Sequence, residues 1–338
     1  MNADQRTFHP RPSAYFRGCA LLALAVACTR PGGGGTERVT VPPQSTFRTV
    51  TDTLAARGLI ANRLIFRVVA RLKGLDRSVK AGVYDLPRGS SMTELLTRLA
   101  SGKTANARFT APEGLALPEI AAQAARQLGV PADSVLAAAN DTAEINALGV
   151  DARSLEGFLL PETYSLPLGS SARDLVRTMA RSFEAAWRPE WDARLDTLKL
   201  TRLQLVTLAS IVEGEARVDE ERKVIAGVYH NRLRIGMALQ ADPTIQYAIM
   251  LETGGRKPRL YTKDYRFPSP YNTYLHPGLP PGPVNSPGRR SIEASLYPAK
   301  VPFLYFVAMP DGRHRFSATY DEHLRNVAAS RRAYRAQE

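Results

Sequence analysis

The sequence predicts an α+β fold, in which a small N-terminal α+β module precedes a larger α+β domain. One pattern occurs three times between residues 38 and 130: a short alternating strand reaches a proline, and an amphipathic helix then ends at glycine. The composition changes near Leu155, where longer helical stretches begin. The chain has 338 residues, 44% of them hydrophobic and 23% charged, so it is globular and long enough for two or three domains.

The three copies of this pattern predict the elements of the N-terminal part. Strands are expected where apolar and polar residues alternate up to a proline, at residues 39–42, 82–87 and 108–112. A helix follows each strand and is expected to end at Gly58, Gly102 or Gly129. Ser91 and Glu94 have the spacing of a capping box. An extra helix is predicted around residues 64–72, which completes a small α+β module.

The second half predicts longer helices. Residues 171–188 and 201–235 are expected to be helical with an exposed charged face. Proline and glycine interrupt residues 265–290. Residues 303–308 are a candidate buried strand, and a basic helix is expected from Tyr320 onward.

These elements and their flanks suggest five segments. Residues 1–27 are interpreted as a signal peptide and residues 28–37 as a Gly-rich tether. The α+β module is expected at 38–105, a helical connecting segment at 106–150, and the second α+β domain at 151–338.

The N-terminus has the features of an export signal. Three arginines precede an apolar run of nine residues, Cys19–Ala27, about half of the roughly 20 residues that a membrane-spanning helix needs. Ala25–Cys28 resembles a bacterial lipobox, which predicts lipidation of Cys28 and a membrane-anchored lipoprotein facing the periplasm. A plain cleaved signal or a short membrane anchor is the alternative. Either interpretation places the folded part outside the cytoplasm.

Net charge and composition limit the classes of molecule that the chain is expected to bind. The formal net charge is +13, which favours nucleic acid, anionic lipid or a carboxylate-bearing polymer. Removal of residues 1–27 leaves about +11, and export favours cell-envelope polymers over nucleic acid. The only cysteines are Cys19 and Cys28, and no two of the five histidines are four residues apart. We therefore expect no metal site and no cofactor.

The most informative carboxylate is Glu215. Leu205, Leu208 and Val212 form a helical stripe whose next position is Glu215. Partial burial there would raise the pKa of the carboxyl, as a general acid near neutral pH requires. The alternative is a structural glutamate that reaches solvent past the helix end. Glu213 lies on another face, where an ion pair with Arg217 is available.

Two further segments bear polar groups suited to sugars. Residues 268–288 contain seven Pro and three Gly, which predicts a stiff irregular path. Its aromatic rings and amides suit the apolar faces and hydroxyl edges of sugar rings, and the relevant residues are Tyr271, Asn272, Tyr274 and Asn285. An exposed proline-rich linker is the alternative. The second segment, Asn231–Thr244, contains Gln240 and Asp242, and Asp242 before Pro243 favours a turn or a helix start.

Five blocks of sequence, in the order in which they occur along the chain, resemble blocks of the endolytic murein transglycosylases of the MltG or YceG-like family. Gly214 stands where that family commonly has lysine, and a short apolar run stands where most members have a transmembrane helix. The N-terminal module resembles the family's LysM-like segment, so the resemblance covers residues 39–338. The blocks are Glu156–Tyr164, Ala209–Ala216, Asn231–Thr244, Ser269–Pro283 and His314–Ser317.

The resemblance implies cleavage between MurNAc and GlcNAc within peptidoglycan strands, yielding 1,6-anhydro-MurNAc ends and terminating strand elongation. It maps the catalytic glutamate onto Glu215, the residue that the apolar stripe also singles out. Cell-wall synthases are implied as possible partners. Substrate binding or support of Glu215 is expected from Glu213, Asn231, Gln240, Asp242, Tyr271, Asn272, Tyr274 and Asn285.

Three other functions compete with this interpretation. A non-catalytic peptidoglycan-binding protein would use Glu215 structurally. A hydrolytic muramidase would leave reducing ends instead of anhydro ends. Nucleic-acid binding would require that the export signal is misread, and would be favoured by a continuous arginine stripe with aromatic residues.

Overall fold

A computed structural model describes residues 34–336, so the predicted signal peptide and Cys28 lie outside the described residues. The chain divides between Ala105 and Asn106 into two compact units. The described residues contain three two-stranded antiparallel sheets. No helix in this part of the chain is long and apolar enough to cross a bilayer.

The first unit has the order βααβα. Strand β1 (Thr36–Val41) pairs antiparallel with β2 (Gly82–Pro87), and the helices are α1 (Phe47–Ala56), α2 (Arg63–Leu72) and α3 (Met92–Ser101). The core centres on Leu54, Phe66, Tyr84, Leu95 and Leu99, which are all fully buried. These elements agree with the predicted strands and helices within a few residues.

Helix caps explain where the helices of the first unit begin. Thr46 and Asn62 accept backbone N–H groups at the starts of α1 and α2. Ser91 accepts the N–H of Glu94 at 3.2 Å, as the capping box requires. The Glu94 carboxylate pairs with Arg98 and does not return to the Ser91 N–H, so only half of the predicted box forms.

The second unit is mainly helical and begins with a strand. Strand β3 (Asn106–Thr110) pairs antiparallel with β4 (Thr163–Pro167), and β5 (Tyr305–Ala308) pairs with β6 (His314–Ser317). Its helices are α4 (Leu117–Leu128), α5 (Ala132–Ala139), α6 (Thr142–Ala147), α7 (Ala172–Ala186), α8 (Pro189–Leu198), α9 (Arg202–Glu215), α10 (Arg222–Arg234), α11 (Asp242–Thr253), α12 (Arg289–Leu296) and α13 (Tyr320–Arg335).

The segment 106–150 is part of the second unit and does not connect two domains. Its strand β3 pairs with β4, and Ile120 and Val135 from its helices lie in one core with Leu175 and Leu205. Hydrophobic burial therefore joins this segment to the residues that follow it.

Helix α9 is the central helix of the second unit, which differs from the predicted surface helix. Every residue from Leu205 to Val212 is buried, because α8, α10, α11 and α12 all pack against α9. Leu205 and Ala209 belong to one apolar core, whereas Leu208 and Ile211 belong to another. A helix that is apolar on all sides is a buried helix.

Two other predictions need correction. The predicted helix over 201–235 is two helices, since α9 ends at Glu215 and α10 starts at Arg222. The strand predicted as buried, Tyr305–Ala308, is partly exposed at every residue because it has only one neighbouring strand. The helix predicted from Tyr320 onward is confirmed as α13.

Candidate active site at the end of the buried helix

The site lies where α9 reaches the surface. The helix begins at a reciprocal capping box, in which Thr201 accepts the Gln204 N–H and the Gln204 side chain accepts the Thr201 N–H. Fourteen residues after Thr201, Glu215 ends the helix and is partly exposed, whereas Ile211 and Val212 are fully buried. The buried helix therefore ends in a partly exposed glutamate.

The surroundings of Glu215 favour its neutral form. The Tyr229 hydroxyl, from α10, donates a 3.1 Å hydrogen bond to Glu215 Oε1. Burial, and secondly the negative charge of Asp242, raise the pKa of Glu215 to about 7. The Tyr229 hydrogen bond, the Arg232 charge and the Asp242 backbone N–H oppose this shift. Glu215 therefore holds its proton close to neutral pH.

Asp242 is held beside Glu215 by tyrosines. It is the first residue of α11, and its Oδ1 accepts a 2.7 Å hydrogen bond from the Tyr274 hydroxyl. Tyr265 contacts the Tyr274 ring edge-on, with centroids 4.8 Å apart, and also bonds to Asp242. Burial raises the pKa of Asp242, and the two tyrosines oppose that shift.

The proline-rich segment is anchored to the start of α11. The Thr273 hydroxyl accepts the Ala241 N–H at 3.0 Å and lies 2.9 Å from the Thr244 hydroxyl. The segment is irregular, as predicted, but its residues 282–288 are buried, so it is not an exposed linker. This anchoring places Tyr274 against Asp242.

Gly214 permits the close approach of α11 to α9. A Cβ atom at this position would lie 2.6 Å from Cγ of Pro243, closer than such atoms come. Pro243 follows Asp242 directly, so the missing side chain at residue 214 lets Asp242 sit beside Glu215.

Glu213 is ionically paired, but not with Arg217. Its carboxylate lies 3.1 Å from the Arg222 guanidinium, and both side chains are nearly buried. It also accepts hydrogen bonds from the Gly288 N–H and the Ser291 hydroxyl, at 3.0 and 2.8 Å. The predicted pair with Arg217 does not form, because α9 ends before that residue can complete another turn. Glu213 joins α9, α10 and the start of α12.

The three predicted asparagines hold loops in place. Asn231 donates to the carbonyls of Val301 and Phe303, and the buried Asn272 donates to those of Tyr265 and Phe267. Asn285 donates to the Ser210 carbonyl at 2.9 Å, and its own buried carbonyl oxygen has no protein partner.

Gln240 and Tyr271 are placed differently. Gln240 is exposed, and it adopts a left-handed backbone with φ of 48°, a strained conformation for a residue other than glycine. Its N–H donates to the Thr273 carbonyl at 3.1 Å. The Tyr271 ring packs 4.9 Å from that of Tyr247.

Burial gives one other carboxyl a comparable pKa. Glu156 accepts the Leu117 N–H at the start of α4, and desolvation raises its pKa to about 7. Its residue is only 3% exposed, so it is closed to a polymer. Exposure therefore distinguishes Glu215 from Glu156.

Sequence reasoning missed Tyr229, Tyr265 and Arg232 as neighbours of the site. Tyr229 follows Glu215 by 14 residues across a helix break, so no helical spacing connects them. Arg232 is buried and donates to the Leu304 carbonyl at 2.7 Å. The tertiary fold alone brings these residues to Glu215.

This arrangement can carry out general acid and base catalysis. Glu215 is a partly exposed carboxyl that is protonated near neutral pH, which suits the protonation of a leaving oxygen. In a hydrolytic glycosidase, a second carboxylate stands across the scissile bond from the acid. Asp242 instead lies beside Glu215, close enough for its charge to raise the pKa of Glu215.

Known proteins are similar to this chain over most of its length. The chain is 32% identical to the endolytic murein transglycosylase of Bacillus subtilis, over 85% of this chain and 83% of that protein. It is 33% identical to the endolytic murein transglycosylase of a Streptococcus pneumoniae strain, over 86% of this chain, and spans 57% of that longer protein.

A solved structure is similar as well. The crystal structure of a YceG-like protein from Listeria monocytogenes matches with a TM-score of 0.58 and 30% identity, over 87% of this chain and 99% of that one. The sequence also matches the YceG-like family over residues 39–329. On this evidence, the chain belongs to the YceG-like family.

Proposed function

We propose that this protein is an endolytic murein transglycosylase that cleaves the MurNAc-(β1,4)-GlcNAc bond within peptidoglycan strands and forms 1,6-anhydro-MurNAc ends. The observation that carries the proposal is Glu215, a partly exposed residue whose carboxyl has its pKa raised by burial to about 7. The relatives named endolytic murein transglycosylase supply the substrate class.

Glu215 acts twice in the proposed reaction. It first donates its proton to the glycosidic oxygen as the bond to C1 of MurNAc breaks, and the GlcNAc hydroxyl leaves. The resulting carboxylate then accepts the proton of the MurNAc C6 hydroxyl while O6 bonds to C1. Glu215 ends protonated, and no water is consumed. One carboxyl suffices because the sugar supplies the nucleophile, whereas hydrolysis needs a second carboxylate.

The neighbouring residues take supporting roles in this proposal. The negative charge of Asp242 keeps Glu215 protonated, and Tyr274 holds Asp242 in place. The exposed Gln240 and the ring of Tyr271 are the best placed to contact sugars. Glu213, Asn231, Asn272 and Asn285 support the surrounding loops, since each of them already bonds to protein groups there.

Three further assignments belong to this proposal. The first unit is a LysM-like module that holds glycan strands, and the cleavage terminates nascent strands. The net charge of about +11 that remains without residues 1–27 suits the carboxylates of stem peptides. Residues 1–27 are a signal peptide, and a lipid on Cys28 anchors the protein to a membrane facing the periplasm. Release of the Cys28→Ala protein from membranes is expected, and unchanged retention would refute the lipid anchor.

The decisive experiment compares the ends of the products. The chain from residue 28 with Cys28→Ser, with and without Glu215→Gln, is incubated with uncross-linked glycan strands. We expect products lighter by one water than the hydrolysed ones, and none with Glu215→Gln. Reducing ends would indicate a muramidase. Binding without cleavage by either protein would indicate a non-catalytic peptidoglycan-binding protein.

A further inference from the structure

One face of α2 is apolar and points away from the core of the first unit. Leu64, Val68 and Leu72 expose 64%, 50% and 82% of their surface, and Ile65 beside them exposes 43%. A spacing of four residues aligns the first three along one stripe, because the helix repeats about every 3.6 residues. Phe66 and Ala70, on the opposite side, are fully buried. The core of the unit therefore does not use the exposed stripe.

Two arginines follow the edge of this stripe. Arg67 and Arg71 directly precede Val68 and Leu72, and both are exposed. Within the part of the chain that the structure describes, neither forms a salt bridge, whereas Arg63 lies 3.3 Å from Asp52. The sequence of α2 contains no acidic residue. The surface is thus an apolar stripe with unpaired positive charge along one side.

We propose that this face of α2 docks on an anionic lipid bilayer. Leucine and valine side chains gain free energy by leaving water for the boundary between headgroups and acyl chains. Arginines beside them lay their apolar stems along that boundary and pair their guanidinium groups with lipid phosphates. An acidic glycan or a nucleic acid would pair only with the two arginines, and would leave the three apolar side chains exposed to water.

The position of α2 in the chain fits this partner. Residues 28–35 separate the end of the predicted apolar run from β1, and eight residues span at most about 28 Å. An anchor at Cys28 would therefore hold the first unit near the bilayer, and α2 would supply a second attachment. Two weak attachments together give stable membrane binding. The docking itself depends only on the residues of α2, and not on the proposed catalysis.

The test uses the chain from residue 28 with Cys28→Ser, which removes any lipid anchor. Co-sedimentation is measured with phosphatidylcholine vesicles, with and without phosphatidylglycerol. We expect binding to the anionic vesicles that weakens with added salt. The triple variant Leu64→Gln, Val68→Gln, Leu72→Gln should bind these vesicles with an affinity lower by about tenfold or more. Arg67→Gln with Arg71→Gln should remove most of the salt dependence.

A matched control removes the same number of exposed apolar side chains elsewhere. Ile235, Leu251 and Leu324 expose 52%, 53% and 49% of their surface in the second unit. Their simultaneous change to glutamine should leave vesicle binding intact. Leu72→Gln alone, at the most exposed position, provides a variant that cannot disturb the core.

Three results would overturn the proposal. They are absence of binding to anionic vesicles, equal binding by the triple variant, and a lipid-free dimer in sedimentation equilibrium that the triple variant abolishes. The last result would assign the stripe to a second copy of the chain. Cleavage of soluble strands is measured in parallel for the wild-type protein, so failure of docking is distinguishable from failure of the proposed catalysis.

Discussion

Glu213 and Glu215 are two residues apart at the end of one helix, and their surroundings differ in almost every respect. Glu213 pairs with the guanidinium of Arg222 and accepts two further hydrogen bonds from the start of α12. Glu215 accepts one from a tyrosine and lies beside the negative charge of Asp242. The carboxylate of Glu213 is thus paired with a cation, whereas burial and the charge of Asp242 raise the pKa of Glu215.

This difference shows how one helix end can serve structure and chemistry together. The carboxylate of Glu213 connects α9, α10 and the start of α12, and those partners occupy its oxygens. A carboxyl without a cation partner keeps its proton, and the structure that Glu213 stabilises determines where that proton is presented. Local spacing cannot produce this contrast, because both residues lie on the same turn of α9.

The largest expected effect is the loss of cleavage in Glu215→Gln. The amide keeps the shape of the side chain but cannot donate a proton to the glycosidic oxygen. We expect a fall in the cleavage rate of about 1,000-fold or more. Quantification of strand ends by mass spectrometry measures it, and strand binding in a pull-down should persist. A rate within tenfold of wild type would exclude Glu215 as the acid.

The next effect is on stability and concerns the paired residue. Glu213→Gln removes one of two carboxylates from the nearly buried Arg222, which keeps its ion pair with Asp219, so the free energy of unfolding should fall by about 2 kcal/mol. The pKa of Glu113 is raised by burial and by the charge of Glu213. Because Glu213→Gln removes that repulsion, it offsets part of this loss. Urea unfolding measures it. A stability equal to that of wild type would show that the ion pair does not hold α9 and α10 together.

Gly214→Ala tests the close approach of the two helices. The added Cβ would meet Pro243, so α11 should shift and carry Asp242 away from Glu215. We expect a cleavage rate about tenfold lower, and an acidic shift in its pH dependence. Gly255→Ala, at a position with no neighbour within 4 Å, is the matched control. Equal rates for both variants would contradict the importance of this contact.

A smaller effect is the dependence of stability on the protonation of Glu215. The pKa of Glu215 rises from 4.5 in the unfolded chain to about 7, so the folded protein binds the additional proton. Its contribution to stability is present below about pH 4.5 and is lost as the pH rises through about 7. Glu215→Gln should therefore raise the melting temperature at pH 8 but not at pH 4.5. Glu156 has a similar pKa and is present in both the wild type and the variant, so its contribution cancels in the difference between their melting temperatures.

The smallest effects are opposite shifts of the basic limb of the pH–rate profile. Asp242→Asn removes the negative charge that raises the pKa of Glu215, so the limb should move to lower pH. Tyr229→Phe removes a hydrogen bond that lowers this pKa, so the limb should move to higher pH. Each shift should be about one pH unit or less. Shifts in the same direction would contradict the assigned electrostatics.

Much of the first unit could be predicted from sequence because its signals are local. Alternating strands, capping residues such as Ser91 and terminal glycines such as Gly102 act within a few residues of one another. The place of Glu215 on the stripe of Leu205, Leu208 and Val212 followed from spacing as well, whereas its position at a helix end did not. The division of 201–235 into two helices was missed, because no proline marks the break.

The sequence by itself determined the local elements of the first unit and the blocks that identify the family. Only the tertiary structure decided that α9 is buried, that Glu213 pairs with Arg222, and that Tyr229 and Asp242 meet Glu215. The physical reason is distance along the chain. Capping and periodicity depend on adjacent residues, whereas burial and the pKa of a carboxyl depend on groups that only long-range packing brings together.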